Sequence, residues 1–176
     1  KGGWRYSPES KDADTTVSGA QMVALFAARN AGIQVPDEAI EKGKLFILSC
    51  QDDSGGFGYQ TSSGANLPRT AIGSLVLSLA RETKTPAYEK SVNYLRQNAK
   101  FGDQGHKFYS LYYTAQAMFR ASPGDWNSWN LENVRRLKSS QLEDGSWNGN
   151  YGNSFATSSA LLSMALNYRY LPIYER

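Results

Sequence analysis

Residues 51–57 read Gln51-Asp-Asp-Ser-Gly-Gly-Phe57, and residues 141–147 read Gln141-Leu-Glu-Asp-Gly-Ser-Trp147. Both stretches open with glutamine, place glycine at the fifth position and end on an aromatic residue. That order suits a junction between two helices. The glutamine ends one helix, and its amide can bond the backbone of the loop. The glycine takes the left-handed conformation that commonly follows a helix. The aromatic ring folds back over the junction and packs the next hairpin.

Working outward, four segments share one layout, a Gly/aromatic loop followed by a helix rich in small and apolar residues. Gly2-Gly-Trp4 leads into 17–31, and Gly55-Gly-Phe-Gly-Tyr59 into 70–80. Phe101-Gly102 leads into 108–120, and Asp144-Gly-Ser-Trp147 into 154–167. The repeat is about 45 residues, which fits one helical hairpin with its loops. The helices after the aromatic loops carry almost no charge, the mark of a buried helix. The helices between them, from 36 to about 50, 86–98 and 128–141, are amphipathic. Pro36 suits a first helical turn, and Asp37 and Glu38 favour a helix N-terminus. Ile40, Leu45, Phe46 and Leu48 are expected on the apolar side of that helix. No run of β-alternation competes. The expectation is an all-α chain of about seven helices in repeated hairpins, with buried helices inside and amphipathic helices outside. This is the plan of a partial α/α toroid, a single domain over 1–176.

The bulk properties agree. The chain has 176 residues, 40% hydrophobic and 20% charged, as for a globular domain with a real core. Its net charge is +3, and no run of Lys/Arg exceeds two residues. Nucleic-acid binding, which calls for clustered basic residues, is not expected. There is no signal-peptide pattern and no apolar run long enough to span a bilayer. The single cysteine, Cys50, excludes a disulfide within the chain and is compatible with a reducing compartment. The chain opens at Lys1 without methionine, and it is read as a fragment of a larger protein. A cut ring would expose apolar edges and favour self-association.

The two glutamine stretches resemble the Q-x-x-x-G-x-W repeat of squalene and oxidosqualene cyclases. Residues 47–59, Ile47-Leu-Ser-Cys-Gln-Asp-Asp-Ser-Gly-Gly-Phe-Gly-Tyr59, also resemble a repeat of the protein prenyltransferase β subunit. The resemblance covers essentially the whole chain and implies the α/α toroid of those families. Gly2-Gly-Trp4 followed by Asp12-Ala-Asp-Thr-Thr16 is similar to the acid-motif region of class II triterpene cyclases, D-x-D-D-T preceded by G-G-W. By position the resemblance implies Asp14 as the acid that protonates an alkene and Asp12 as its supporting carboxyl. Such an acid needs a dry, hydrogen-bonded setting that keeps it protonated. Thr15 stands where the motif has its last aspartate, and the loop between Trp4 and Asp12 is shorter than in those enzymes. The other reading of Asp12 and Asp14 is helix capping.

Trp4, Tyr6, Phe57, Tyr59, Tyr109, Tyr112 and Trp147 are the candidate ligand-binding aromatics. Loops of this kind open on one end of a toroid, where π faces would hold an isoprenoid or other hydrophobic ligand and stabilise cations. Packing is the alternative role. With one His and one Cys, His106 and Cys50, no catalytic zinc site is expected and no cofactor is implied. No phosphate loop, dinucleotide fingerprint or nucleophile elbow appears. The activity expected is acid-initiated cyclisation or binding of an isoprenoid. A non-catalytic toroid binding lipid or protein, and a carbohydrate-active toroid enzyme, stand as alternatives.

Overall fold

A computed structural model describes residues 2–99 and 106–168. The described chain is all-helical: α1 Thr15–Asn30, α2 Asp37–Ser49, α3 Leu67–Leu79, α4 Pro86–Asn98, α5 Lys107–Ala121, α6 Pro123–Ser139 and α7 Asn153–Ala165, with a short 3-10 turn Leu166–Tyr168. Among the described residues only isolated β-bridges occur, Gln51 with Phe57 and Phe57 with Asn66. The opening of the third repeat, Phe101-Gly102, lies outside the described residues.

Local chemistry sets the helix starts. The Asp14 side chain caps α1, that of Asn66 caps α3, that of Thr85 caps α4 and that of Ser122 caps α6. Each accepts backbone N–H bonds that the first turn cannot satisfy internally. Helix α6 starts five residues before the expected 128. Ser122 Oγ accepts the amide of Asp125 at 3.0 Å, and Pro123 sits in the first turn. Ser-Pro-Gly-Asp is itself a local start signal, with the cap residue directly before the first-turn proline.

The odd-numbered helices pack in a row, α1 on α3, α3 on α5 and α5 on α7. The even-numbered helices bridge them: α2 touches α1 and α3, α4 touches α3 and α5, and α6 touches α5 and α7. Helix α3 is buried without a break from Thr70 to Ser78, and α5 buries most of its length. The end members differ from the expectation of burial all round. Helix α1 exposes Ala20, Gln21 and Ala24, and α7 exposes Phe155, Ser158, Leu161 and Leu162. Each has an odd-numbered neighbour on one side only. Leu45 is also exposed, and the buried stripe of α2 is Ile40, Gly43, Phe46 and Ile47. These positions follow the three-and-four spacing of one helical face.

The repeat extends to atomic detail. Gly2 and Gly55 have φ of 86° and 88°, a region open mainly to glycine. A Cβ at either would lie 2.4 Å from a helix carbonyl oxygen, that of Lys42 in α2 or of Lys90 in α4. Gln51 Nε2 donates to the carbonyls of Gly55 (3.1 Å) and Ala87 (2.8 Å), and Gln141 Nε2 donates to that of Gly145 (2.8 Å). The amides of Trp4, Phe57 and Trp147 each donate to a hydroxyl near the start of the following odd helix, Ser18 (2.8 Å), Thr70 (3.0 Å) and Thr157 (3.1 Å).

Candidate functional site

The candidate site lies at the N-terminal end of α1 and in the loops before α1 and α3. Asp14 is fully buried and sits beside Trp4, whose carbonyl accepts the Asp14 amide at 3.0 Å. Its Oδ1 accepts the amides of Thr16 (2.8 Å) and Val17 (2.9 Å) and the Thr16 hydroxyl (2.5 Å). Its Oδ2 accepts Arg5 Nη1 at 2.9 Å. Burial acts to raise the Asp14 pKa. The Thr16 hydroxyl, the Val17 amide, Arg5 and the Thr16 amide outweigh it, and the carboxyl is held below the ordinary aspartate range. At neutral pH this group is a carboxylate.

The linkage has a definite sign. A carboxyl whose folded pKa lies below its unfolded value, about 3.9 for aspartate, adds stability that is present above that value. The contribution is lost as pH falls through the folded pKa. Asp14→Asn is therefore expected to be less stable than the parent at pH 7, with the gap closing as the solution is acidified below pH of about 4. Urea midpoints measured across this range check it, and a gap independent of pH would contradict it.

Arg5 is the member of the cluster that sequence reasoning missed. Besides Asp14, its Nη1 reaches the Tyr59 hydroxyl at 2.8 Å, and its Nε lies 3.4 Å from Asp12 Oδ2. Its guanidinium carbon stands 5.1 Å from the Tyr6 ring centre and 5.3 Å from that of Tyr59, while Arg69 meets the Tyr59 ring at 5.4 Å. Both distances for Arg5 suit cation–π contact. Its signal in the sequence was its place directly after Gly-Gly-Trp. Asp12 is half-exposed, shared between Arg5 and Gln60 Nε2 (2.9 Å).

Thr15 follows Asp14 as the first residue of α1. It is fully buried, and its hydroxyl donates to the carbonyls of Gly58 (2.7 Å) and Tyr59 (3.0 Å). Its amide donates to the Tyr59 carbonyl at 2.8 Å. The start of α1 is thereby tied to the loop of the second repeat.

The candidate aromatics divide into two groups. Tyr6 is largely exposed, its hydroxyl 3.1 Å from that of half-buried Tyr59. Tyr109 and Tyr112 are half-buried, and both pack edge-on against Tyr113, with centroids 5.0 and 4.9 Å apart. Burial first, then Tyr113, raises the Tyr109 phenol. Burial likewise pushes Tyr113 up to about 12. Tyr6 and Tyr59 thus gather around Arg5, while Tyr109 and Tyr112 pack with Tyr113 on α5. Phe57 and Trp147 do not join them. Phe57 has no exposed surface, and Trp147 is buried with its indole N–H donating to the Leu137 carbonyl at 2.8 Å. Both rings pack in the core between the repeats. Trp4 is half-buried and leans on α2, within 2.9 Å of where a Cβ on Gly43 would lie.

Among the described residues no group of three or more His, Cys, Asp and Glu side chains is placed to hold a metal ion. Cys50 is buried, and His106 Nδ1 meets the Tyr151 hydroxyl at 2.5 Å. No described helix is long and apolar enough to cross a membrane. No protein-family model matches the chain, and no curated protein matches it either.

Proposed function

We propose that this chain forms an arc of an α/α toroid of the terpenoid cyclase and prenyltransferase type, and that it binds an isoprenoid or similarly hydrophobic ligand at its tyrosine-rich loop end without cyclising it. The toroid reading is supported by the row of odd-numbered helices backed by even-numbered ones, and by the repeated Gln–Gly–aromatic junctions. The observation that carries the absence of acid chemistry is the state of Asp14. Protonating an alkene needs a neutral carboxyl, and Asp14 is an ionised cap held by four donors, Arg5 among them. The equivalent place in the second repeat is held by Asn66, also a cap and not an acid. The phenols of Tyr6, Tyr59, Tyr109 and Tyr112 supply π surface for the ligand. The uncovered apolar side of α7 supports self-association as a further property.

The test is incubation with squalene and with shorter polyprenyls, followed by mass spectrometry of the extracted lipid and by a binding measurement on the same samples through tyrosine fluorescence. The expected result is saturable binding with no cyclised product. Binding is expected to weaken in Tyr59→Ala and Tyr109→Ala. Product that forms with the parent chain and vanishes in Asp14→Asn would establish acid chemistry and overturn the proposal.

A further inference from the structure

The loop between Trp147 and α7 reads Trp147-Asn-Gly-Asn-Tyr-Gly152, and it contains the one Asn-Gly pair of the chain. We propose that Asn148 is a site of spontaneous deamidation, a covalent modification that places a carboxylate in this loop.

The reaction needs three conditions, and the loop meets each. The asparagine side chain must be free. Asn148 is exposed, and its side chain makes no hydrogen bond to any described residue. The next residue must leave its backbone nitrogen open to approach. Glycine has no Cβ to block it, and the Gly149 amide donates to no described acceptor. The backbone must be outside regular structure. Residues 146–149 lie in neither helix nor turn.

In the first step the Gly149 amide nitrogen attacks Asn148 Cγ. An N–Cγ bond forms, the Cγ–Nδ2 bond breaks, and ammonia departs with the amide proton. Water then adds to one of the two carbonyls of the succinimide ring and breaks one ring C–N bond. The product is aspartate or isoaspartate, and the net change is water in and ammonia out. Attack requires loss of the amide proton, so the rate rises with pH.

The structure also explains why so labile a pair is present. A Cβ on Gly149 would lie 2.9 Å from Ala156 Cβ and 3.0 Å from Phe108 Cδ2. Both neighbours are buried, so position 149 has room for glycine alone. The close approach of this loop to α5 and α7 thus sets the residue that exposes Asn148 to attack. The new carboxylate has a distinct setting, since no residue from Gly145 to Tyr168 carries a charged side chain. The isoaspartyl product also adds a methylene to the main chain between two fixed points. Trp147 is anchored on Thr157 and Leu137, and Gly149 is wedged against Phe108 and Ala156.

The experiment is storage of the purified chain at 37 °C at pH of about 6 and of about 8.5, values chosen to bracket the usual thiol and histidine range, followed by peptide mapping. Asn150, followed by Tyr151 in the same loop, is the internal comparator. The expected result is conversion of Asn148 to an Asp and isoAsp pair, several-fold faster at the higher pH and at least tenfold faster than at Asn150. Asn148→Gln is expected to stay folded and to remove the conversion. The isoaspartyl fraction, separated by ion exchange, is expected to melt below Asn148→Asp. Conversion at Asn148 no faster than at Asn150, or modification that maps elsewhere in the chain, would overturn the proposal.

Discussion

Thr15→Asp is expected to destabilise the fold by about 3–5 kcal/mol, the range for leaving a charge buried without a partner. The threonine hydroxyl donates to two backbone carbonyls, those of Gly58 and Tyr59, from a fully buried position. An ionised carboxylate has no hydrogen to donate and would face two carbonyl oxygens at bonding distance. It would have to pick up a proton or force the second-repeat loop away from α1. Thr15→Val, which keeps the shape and removes the donor, is expected to cost about 1–3 kcal/mol. Urea unfolding of the two variants separates the effects. An aspartate variant no worse than the valine variant would show that the site readily accommodates a carboxyl.

Phe57→Ala is expected to cost about 3–5 kcal/mol, as for truncation of a buried aromatic that leaves a cavity. The ring has no exposed surface and lies over Gly73 of α3, where an added Cβ would stand 2.7–2.8 Å from three ring atoms. The two residues are therefore one packing unit. Gly73→Ala alone is expected to destabilise by overpacking, by about 1–3 kcal/mol. In the Phe57→Ala background the same change should cost much less, because the new methyl enters the space vacated by the ring. Urea midpoints around the double-mutant cycle measure this coupling. Strict additivity would mean that the ring and the glycine do not share the space. Loss of Phe57 is also expected to loosen the loop that carries Tyr59, and with it the tie from Thr15.

Much of the architecture was legible from spacing alone. The Gln–Gly–aromatic stretches marked the helix junctions because each residue type there has a single local task. Glutamine bonds the turn, glycine takes positive φ at 55 and 145, and the aromatic side chain is buried at 57 and 147. The expected burial of the uncharged helices holds for α3 and α5 and fails on one face of α1 and of α7, since burial depends on the neighbours a helix has as well as on the composition of its faces. Helix α4 matches its expected span, Pro86–Asn98, because its Thr-Pro start is local. Helix α6 spans Pro123–Ser139 rather than the expected 128–141, because Ser122 and Pro123 start it locally.

The candidate site was legible only in part. The sequence by itself determined the helix junctions and the alternation of helix types, which rest on residue type and near neighbours; the cyclase resemblance nominated Asp12 and Asp14, and the aromatic pattern nominated Trp4, Tyr6, Phe57, Tyr59, Tyr109, Tyr112 and Trp147. Only the tertiary structure decided what those residues meet. It brought Arg5 onto Asp14 and set the Thr15 hydroxyl against carbonyls more than forty residues away. It also sent Phe57 and Trp147 into the core while leaving Tyr6 outside. The physical reason is that the protonation state of a carboxyl and the exposure of a ring depend on every group that the fold brings near. The chain sets those neighbours through contacts that no local pattern encodes.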